Sequence, residues 1–205
     1  FSDPEIANLI SYRFLAVILL SYPLGYFISL KRLKPFFITS SVLLPMIAIS
    51  LVFFIEYSLH EYLKLIFFLW GIVFTLFQIS VLPFIMRYSS KEEQTYAISL
   101  SFATHSIAML FSGLFIYLAS SLLTLKEGNI LILISLFGFG SIFHSIRIKE
   151  QYSNIDIKKK KRNYNWLLII QCILPTLIIA IGAGLTIPFI NLFFFHNFNV
   201  DFSGF

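Results

Sequence analysis

The chain has 205 residues, 58% of them hydrophobic and 12% charged, with a mean hydropathy of +0.86. Soluble domains carry about 45–50% apolar and about 25% charged residues, so disorder is excluded and there are too few charges to coat a water-soluble globule of this size. The net charge of +5 is compatible by itself with nucleic acid, but the charges cluster in short stretches between long apolar runs, where they orient membrane helices.

Six runs of about 20 mostly apolar residues are long enough to cross a bilayer as helices. The first lies near 9–30, the second at 36–55, the third at 63–86, the fourth at 95–123 and the fifth at 129–146. The sixth starts at Trp166 and fades between 187 and 195. Strict alternation is missing, which argues against a β-barrel, and helices satisfy their own backbone groups, as lipid demands. Pro23, Gly25, Pro45, Gly71, Pro83, Gly113, Pro175, Gly182 and Gly184 recur inside the runs. Such breakers are tolerated in membrane helices and mark kinks.

Sorting the basic residues by loop gives an orientation. Lys31, Arg32, Lys34, Arg87, Lys91, Arg147, Lys149, Lys158, Lys159, Lys160, Lys161 and Arg162 fall on one side. The opposite side receives only Lys64 and Lys126, and Arg13 lies within the first span. The positive-inside rule makes the basic side cytoplasmic, and Phe36, Phe37, Tyr88, Tyr96, Tyr164 and Trp166 flank it as interfacial anchors. The expected location is the plasma (inner) membrane, with both chain ends outside. The opening Phe1-Ser2-Asp3-Pro4-Glu5 is acidic, without the basic n-region of a cleavable signal peptide and without an initiator Met. The expectation is a piece of a longer transporter, whose remaining helices are partners of this one.

Four stretches resemble the major facilitator superfamily. Pro23-Leu24-Gly25-Tyr26-Phe27-Ile28 with the basic turn Lys31-Arg32-Leu33-Lys34 is similar to the family's signature loop between helices two and three. Pro83-Phe84 leading into Ser90-Lys91-Glu92-Glu93-Gln94-Thr95-Tyr96-Ala97 resembles the turn between helices four and five. The basic segment 147–165 is similar to the linker between the two six-helix halves. The run from Gly182 through Pro188 to Leu192 resembles the outer half of helix seven. The signature loop departs from the family pattern at Ser29, where an acid is usual, and at Arg32, where a second glycine is usual. Gln94 stands where the helix four–five turn often has an arginine.

The resemblance implies an all-α membrane protein of six transmembrane helices, family helices two to seven of a twelve-helix bundle. Residues 1–146 then hold five helices of the N-terminal half, 147–165 the cytoplasmic linker, and 166–205 the first helix of the C-terminal half with an outer loop. The implied function is secondary transport of a small solute by alternating access, with family helices one, four and seven lining the central cavity. A partial chain of this kind is not expected to transport alone. The alternative is a self-contained six-span scaffold or permease subunit.

Polar residues within the spans are the candidates for solute contact or ion coupling. Arg13 has two open readings: a side chain that snorkels to the outer headgroups, or an anion-binding or gating group. His105 shares a face with Ala97, Ser101, Ala108 and Ser112. It is expected to point into the bundle, either to couple protons or as a neutral hydrogen-bonding group between helices. Gln78, Gln171 and Asn191 can bind a polar solute or bond between helices. Pro23 and Gly25 mark a bend and a close helix approach in the first span. Gly182, Gly184 and Pro188 are expected to bend the sixth.

Gly138-Phe139-Gly140-Ser141 with His144 has a faint likeness to an intramembrane hydrolase. No supporting acid or donor accompanies the pair, and both residues sit on one helix, so no catalytic residue is expected. No metal cluster, phosphate loop or nucleotide motif occurs. No metal, cofactor or nucleic-acid partner is expected. The partners expected are the lipid bilayer, an unidentified small solute and protons that accompany it.

Overall fold

The computed structural model describes residues 1–28, 31–123, 126–150 and 165–198. Every regular element among them is helical. The chain divides into two units, Phe1–Glu150 and Gln151–Phe205. The first holds α1 (Asp3–Ile28), α2 (Lys34–Glu56), a 3-10 turn at His60–Tyr62, α3 (Leu63–Tyr88), α4 (Gln94–Leu123), α5 (Glu127–Gly138) and α6 (Gly140–Arg147). The second holds α7 (Trp166–Phe198). The basic linker expected at 147–165 lies mostly outside the described residues, and so does the outer loop after 198.

Six helical stretches have the length and apolar composition to cross a membrane: Asp3–Ile28, Lys34–Glu56, His60–Tyr88, Gln94–Ser121, Gly128–Arg147 and Trp166–Gly184. Each corresponds to one predicted run. The first helix starts six residues before the predicted run because residues 3–8 form a helical entry. Pro4 has no N–H to lose in a first turn, and Asp3 and Glu5 face the positive end of the helix dipole. The Glu5 carboxylate also accepts the Ser2 backbone N–H at 2.7 Å. Polar entries of this kind are invisible to a hydropathy window. The fifth run is divided at Phe139, between Gly138 and Gly140, into α5 and α6. Its apolar content is continuous, and the paired glycines lower the helix propensity at that point.

Within the first unit, α1 packs on α3, and α2 lies between α3 on one side and α5 and α6 on the other. Gly71 makes the α1–α3 contact possible. A Cβ there would run into the Arg13 carbonyl and would lie 2.8 Å from the Ala16 Cβ. Ala16 is fully buried. Small residues where backbones meet are the usual device of membrane helix packing. The close approach expected at Gly25 is not found. A Cβ there would sit in ordinary contact, 4.0 Å from Ile79 Cγ2. On the other side of α2, Pro45 packs against Gly138 at the α5–α6 break, where a Cβ would lie 3.1 Å from the proline Cγ.

Pro23, Pro45 and Pro83 lie inside α1, α2 and α3 without ending them. α7 is likewise continuous across Gly182, Gly184 and Pro188.

The end of the first unit that carries the basic loops is closed by a small core. Ile28, Leu33 and Phe37 are buried, with Phe36, Leu76, Ile79, Val81, Phe84 and Ile148 packed around them. Two charged side chains tie down helix ends here. The Glu150 carboxylate accepts the Leu33 and Lys34 N–H groups at 2.7 and 2.8 Å and so caps the start of α2, where anions are favoured. The Arg87 guanidinium donates to the Lys31 carbonyl at 2.7 Å and to the Ile28 carbonyl at 3.5 Å, at the end of α1, where cations are favoured.

Candidate functional site

The first unit contains a cavity of about 810 Å³ between α2, α3, α5 and α6. This volume falls in the range of small-molecule sites, about 300–1,000 Å³. The four elements meet there because α2 is wedged between α3 and the α5–α6 pair.

The wall of the cavity is graded. Toward the basic-loop end it carries Ser40 and Ser41 from α2 and Ser141, His144 and Ser145 from α6, with Ser135 from α5 farther in. The other end is formed by Ala48, Leu51 and Val52 of α2 with Leu131 of α5. Trp70, Phe74 and Phe77 of α3 make an aromatic side wall. From Ser40 to Val52 a helix advances ~18 Å at 1.5 Å per residue, which is more than half of a hydrocarbon core of about 30 Å.

The hydroxyls are not alike. Most serines in these helices discharge their hydroxyl onto the carbonyl one turn back: Ser11 onto Ala7, Ser21 onto Val17, Ser50 onto Met46 and Ser80 onto Leu76. In the cavity, Ser135 donates to the Leu131 carbonyl and Ser141 to the Gly138 carbonyl, both at 2.7 Å. Ser41 and Ser145 instead bond to each other across α2 and α6 at 2.7 Å. Ser40 is 0% exposed, and its hydroxyl has no hydrogen-bond partner. Pro45 adds to this local polarity. It lacks the N–H that an uninterrupted helix directs at the Ser41 carbonyl.

Arg13 lies beside this site without lining it. Its guanidinium stacks over Trp70 at 4.2 Å and Phe74 at 4.8 Å, two of the rings that wall the cavity, and its Nε is buried without a hydrogen-bond partner. Because α1 begins at Asp3, Arg13 sits ~15 Å along the helix rather than a few residues inside it. Its side chain is held against α3, where cation–π attraction to a desolvated ring is worth about 2 kcal/mol.

The other predicted contacts fall elsewhere. Gln78 follows Phe77 on α3 but is exposed outside the cavity, and His105 is exposed on α4 instead of facing a neighbouring helix. Gln171 is exposed on α7. Asn191 and Pro188 belong to the same helix, and their side chains lie outside the described residues. Ser40, Ser41, Ser135 and Ser145 are not among the residues the sequence marks as candidates, and Ser141 and His144 stand out in it only as a hydrolase-like pair. A usable signal existed. Ser40-Ser41 interrupts an apolar run four residues before Pro45, and Ser141, His144 and Ser145 share one helix face.

Among the described residues, no group of three or more His, Cys, Asp or Glu side chains is placed to hold a metal ion. No protein-family model, curated protein or solved structure matches the chain. The class defined by the fold alone is an all-helical protein with six helices able to cross a membrane.

Proposed function

We propose that the chain is part of a secondary transporter that carries a small solute across a membrane by alternating access, with its basic loops in the cytoplasm. The observation that carries this reading is the cavity among α2, α3, α5 and α6. It lies well inside the apolar length of the helices and is polar at one end. A cavity at membrane depth with polar groups in its wall is where carriers bind their cargo. The separation of basic from non-basic loops points the same way. The resemblance to the major facilitator superfamily also implies a carrier, but in that alignment the cavity is lined by the equivalents of family helices three, four and six, and of the three cavity helices the family uses it shares only helix four, α3. The broad apolar surface of α4 supports the view that further helices complete the bundle.

Alternating access is tested by thiol accessibility. In a Cys172→Ser background, a cysteine replacing Ala48 in the cavity wall is expected to react with a membrane-impermeant maleimide added from either face of sealed vesicles. Reaction from one face only, or from neither, would leave the scaffold reading in its place.

A further inference from the structure

We infer that the cavity binds an uncharged amphiphile, with a single hydroxyl or carbonyl head seated among Ser40, Ser41 and Ser145 and an apolar, partly aromatic body lying along Trp70 and Phe74. Three observations lead there. First, among the described residues the cavity lining contains no Asp, Glu, Lys or Arg, and His144 is its one titratable side chain, so a permanently charged solute would be desolvated with no fixed charge opposite it, which is costly. Second, the hydroxyls are concentrated toward the basic-loop end, while the rest of the wall is aliphatic or aromatic. A solute that matches this wall has one polar end. Third, the Ser40 hydroxyl is fully buried and unpartnered. A buried hydroxyl left in this state is destabilising. It has no surface open to the cavity as the helices stand, so a ligand head satisfies it by displacing the side chains packed over it. The neighbouring Ser41–Ser145 pair can receive or supply a second bond, since each hydroxyl both donates and accepts. The aromatic wall stays fixed because Arg13 is stacked on Trp70 and Phe74.

This inference deepens the transport reading by naming the chemical class of its cargo, yet binding is measured separately from movement. The chain has two tryptophans, so Trp166→Phe leaves Trp70 as the reporter in the cavity wall. The probes are 9-anthracenemethanol and its headless analogue 9-methylanthracene, both acceptors of tryptophan emission. Saturable quenching of Trp70 is expected, with the alcohol bound about tenfold more tightly, the factor that about 1.4 kcal/mol of hydrogen bonding produces. Ser40→Ala should reduce that preference severalfold without changing the affinity for 9-methylanthracene. Ser40→Thr, which keeps the hydroxyl, should retain it. Ala48→Phe, which leaves Trp70 as the single reporter, should block both by filling the apolar half.

Quenching that never saturates would mean partitioning into lipid and would overturn the site. So would an alcohol preference unaffected by Ser40→Ala. Saturable binding with passage of the alcohol no faster than across protein-free liposomes would sink the transport reading and leave the site standing. Protein-dependent passage without saturable quenching of Trp70 would do the reverse.

Discussion

Gly71 shows how one missing side chain can set the distance between two helices. The Arg13 carbonyl and Ala16 occupy the space a Cβ would take, and neither a backbone carbonyl nor a short, fully buried alanine can swing aside. Gly71→Ala should therefore force α1 off α3 at a cost of about 1–3 kcal/mol, the usual range for overpacking. Gly113, on α4, has open space at the same point. There the alanine gains helix propensity, about 1 kcal/mol over glycine. Thermal unfolding in detergent should show Gly71→Ala several degrees below the parent and Gly113→Ala level with it or above. Equal midpoints for the two variants would refute the close-packing account. The same contact explains the setting of Arg13. Its backbone is pressed against Gly71 while its guanidinium covers Trp70, so one residue contributes to both packing and the cavity wall.

At the scale of elements, the helices are joined at the basic-loop end by charge acting on helix termini. Glu150 comes from just beyond α6 and caps α2, more than a hundred residues earlier in the chain. Arg87 from the end of α3 closes the end of α1. The signature-loop likeness has no acid at Ser29, and these two residues provide a charged contact at the same end of the bundle. Glu150→Ala removes the one oxygen, Oε1, that accepts both N–H groups at the α2 start and should lower stability by about 1 kcal/mol, with Glu150→Gln intermediate because its amide oxygen still accepts. Hydrogen exchange at the Leu33 and Lys34 amides checks this directly: faster exchange is expected in the alanine variant. Unchanged protection would remove the capping role. The interruption at Phe139 belongs to this scale too. Phe139 keeps a right-handed helical backbone there, and Gly128–Arg147 still counts as one spanning helix.

For the whole molecule, the unusual quantity is how much apolar surface remains uncovered. Leu100, Phe102, Met109, Leu110 and Phe111 on α4 are all more than half exposed. Along α7, Trp166, Leu167, Ile178 and Ile179 are too. Contiguous apolar exposure on this scale is untenable in water and ordinary against lipid or other helices. The basic and non-basic loops then predict sidedness. In a Cys172→Ser background of intact cells, a cysteine at Glu61 should react with an impermeant maleimide from outside, and one at Lys91 should react only after permeabilisation. The reverse pattern would invert the proposed orientation.

Composition and hydropathy were enough to establish six long apolar helices and to reject a water-soluble fold, because lipid imposes a length and an apolarity that any spanning segment must display locally. The entry at Asp3–Asn8 and the break at Phe139 escaped, since caps and glycine pairs alter helix geometry without altering average hydropathy. The candidate site was legible only in part. Arg13 stood out as an ionisable group within a span, and the structure brings it against the cavity wall. His105 and Gln78 stood out equally, and they face away from it. Polarity within a span is a property of one residue, whereas lining a cavity depends on which helix lies opposite. The meeting of Ser41 with Ser145, the unpartnered Ser40 and the grading of the wall from hydroxyl to hydrocarbon all arise from α2 being set between α3 and α6. That arrangement is decided by side-chain contact between segments far apart in the chain, and no periodicity within either segment encodes it.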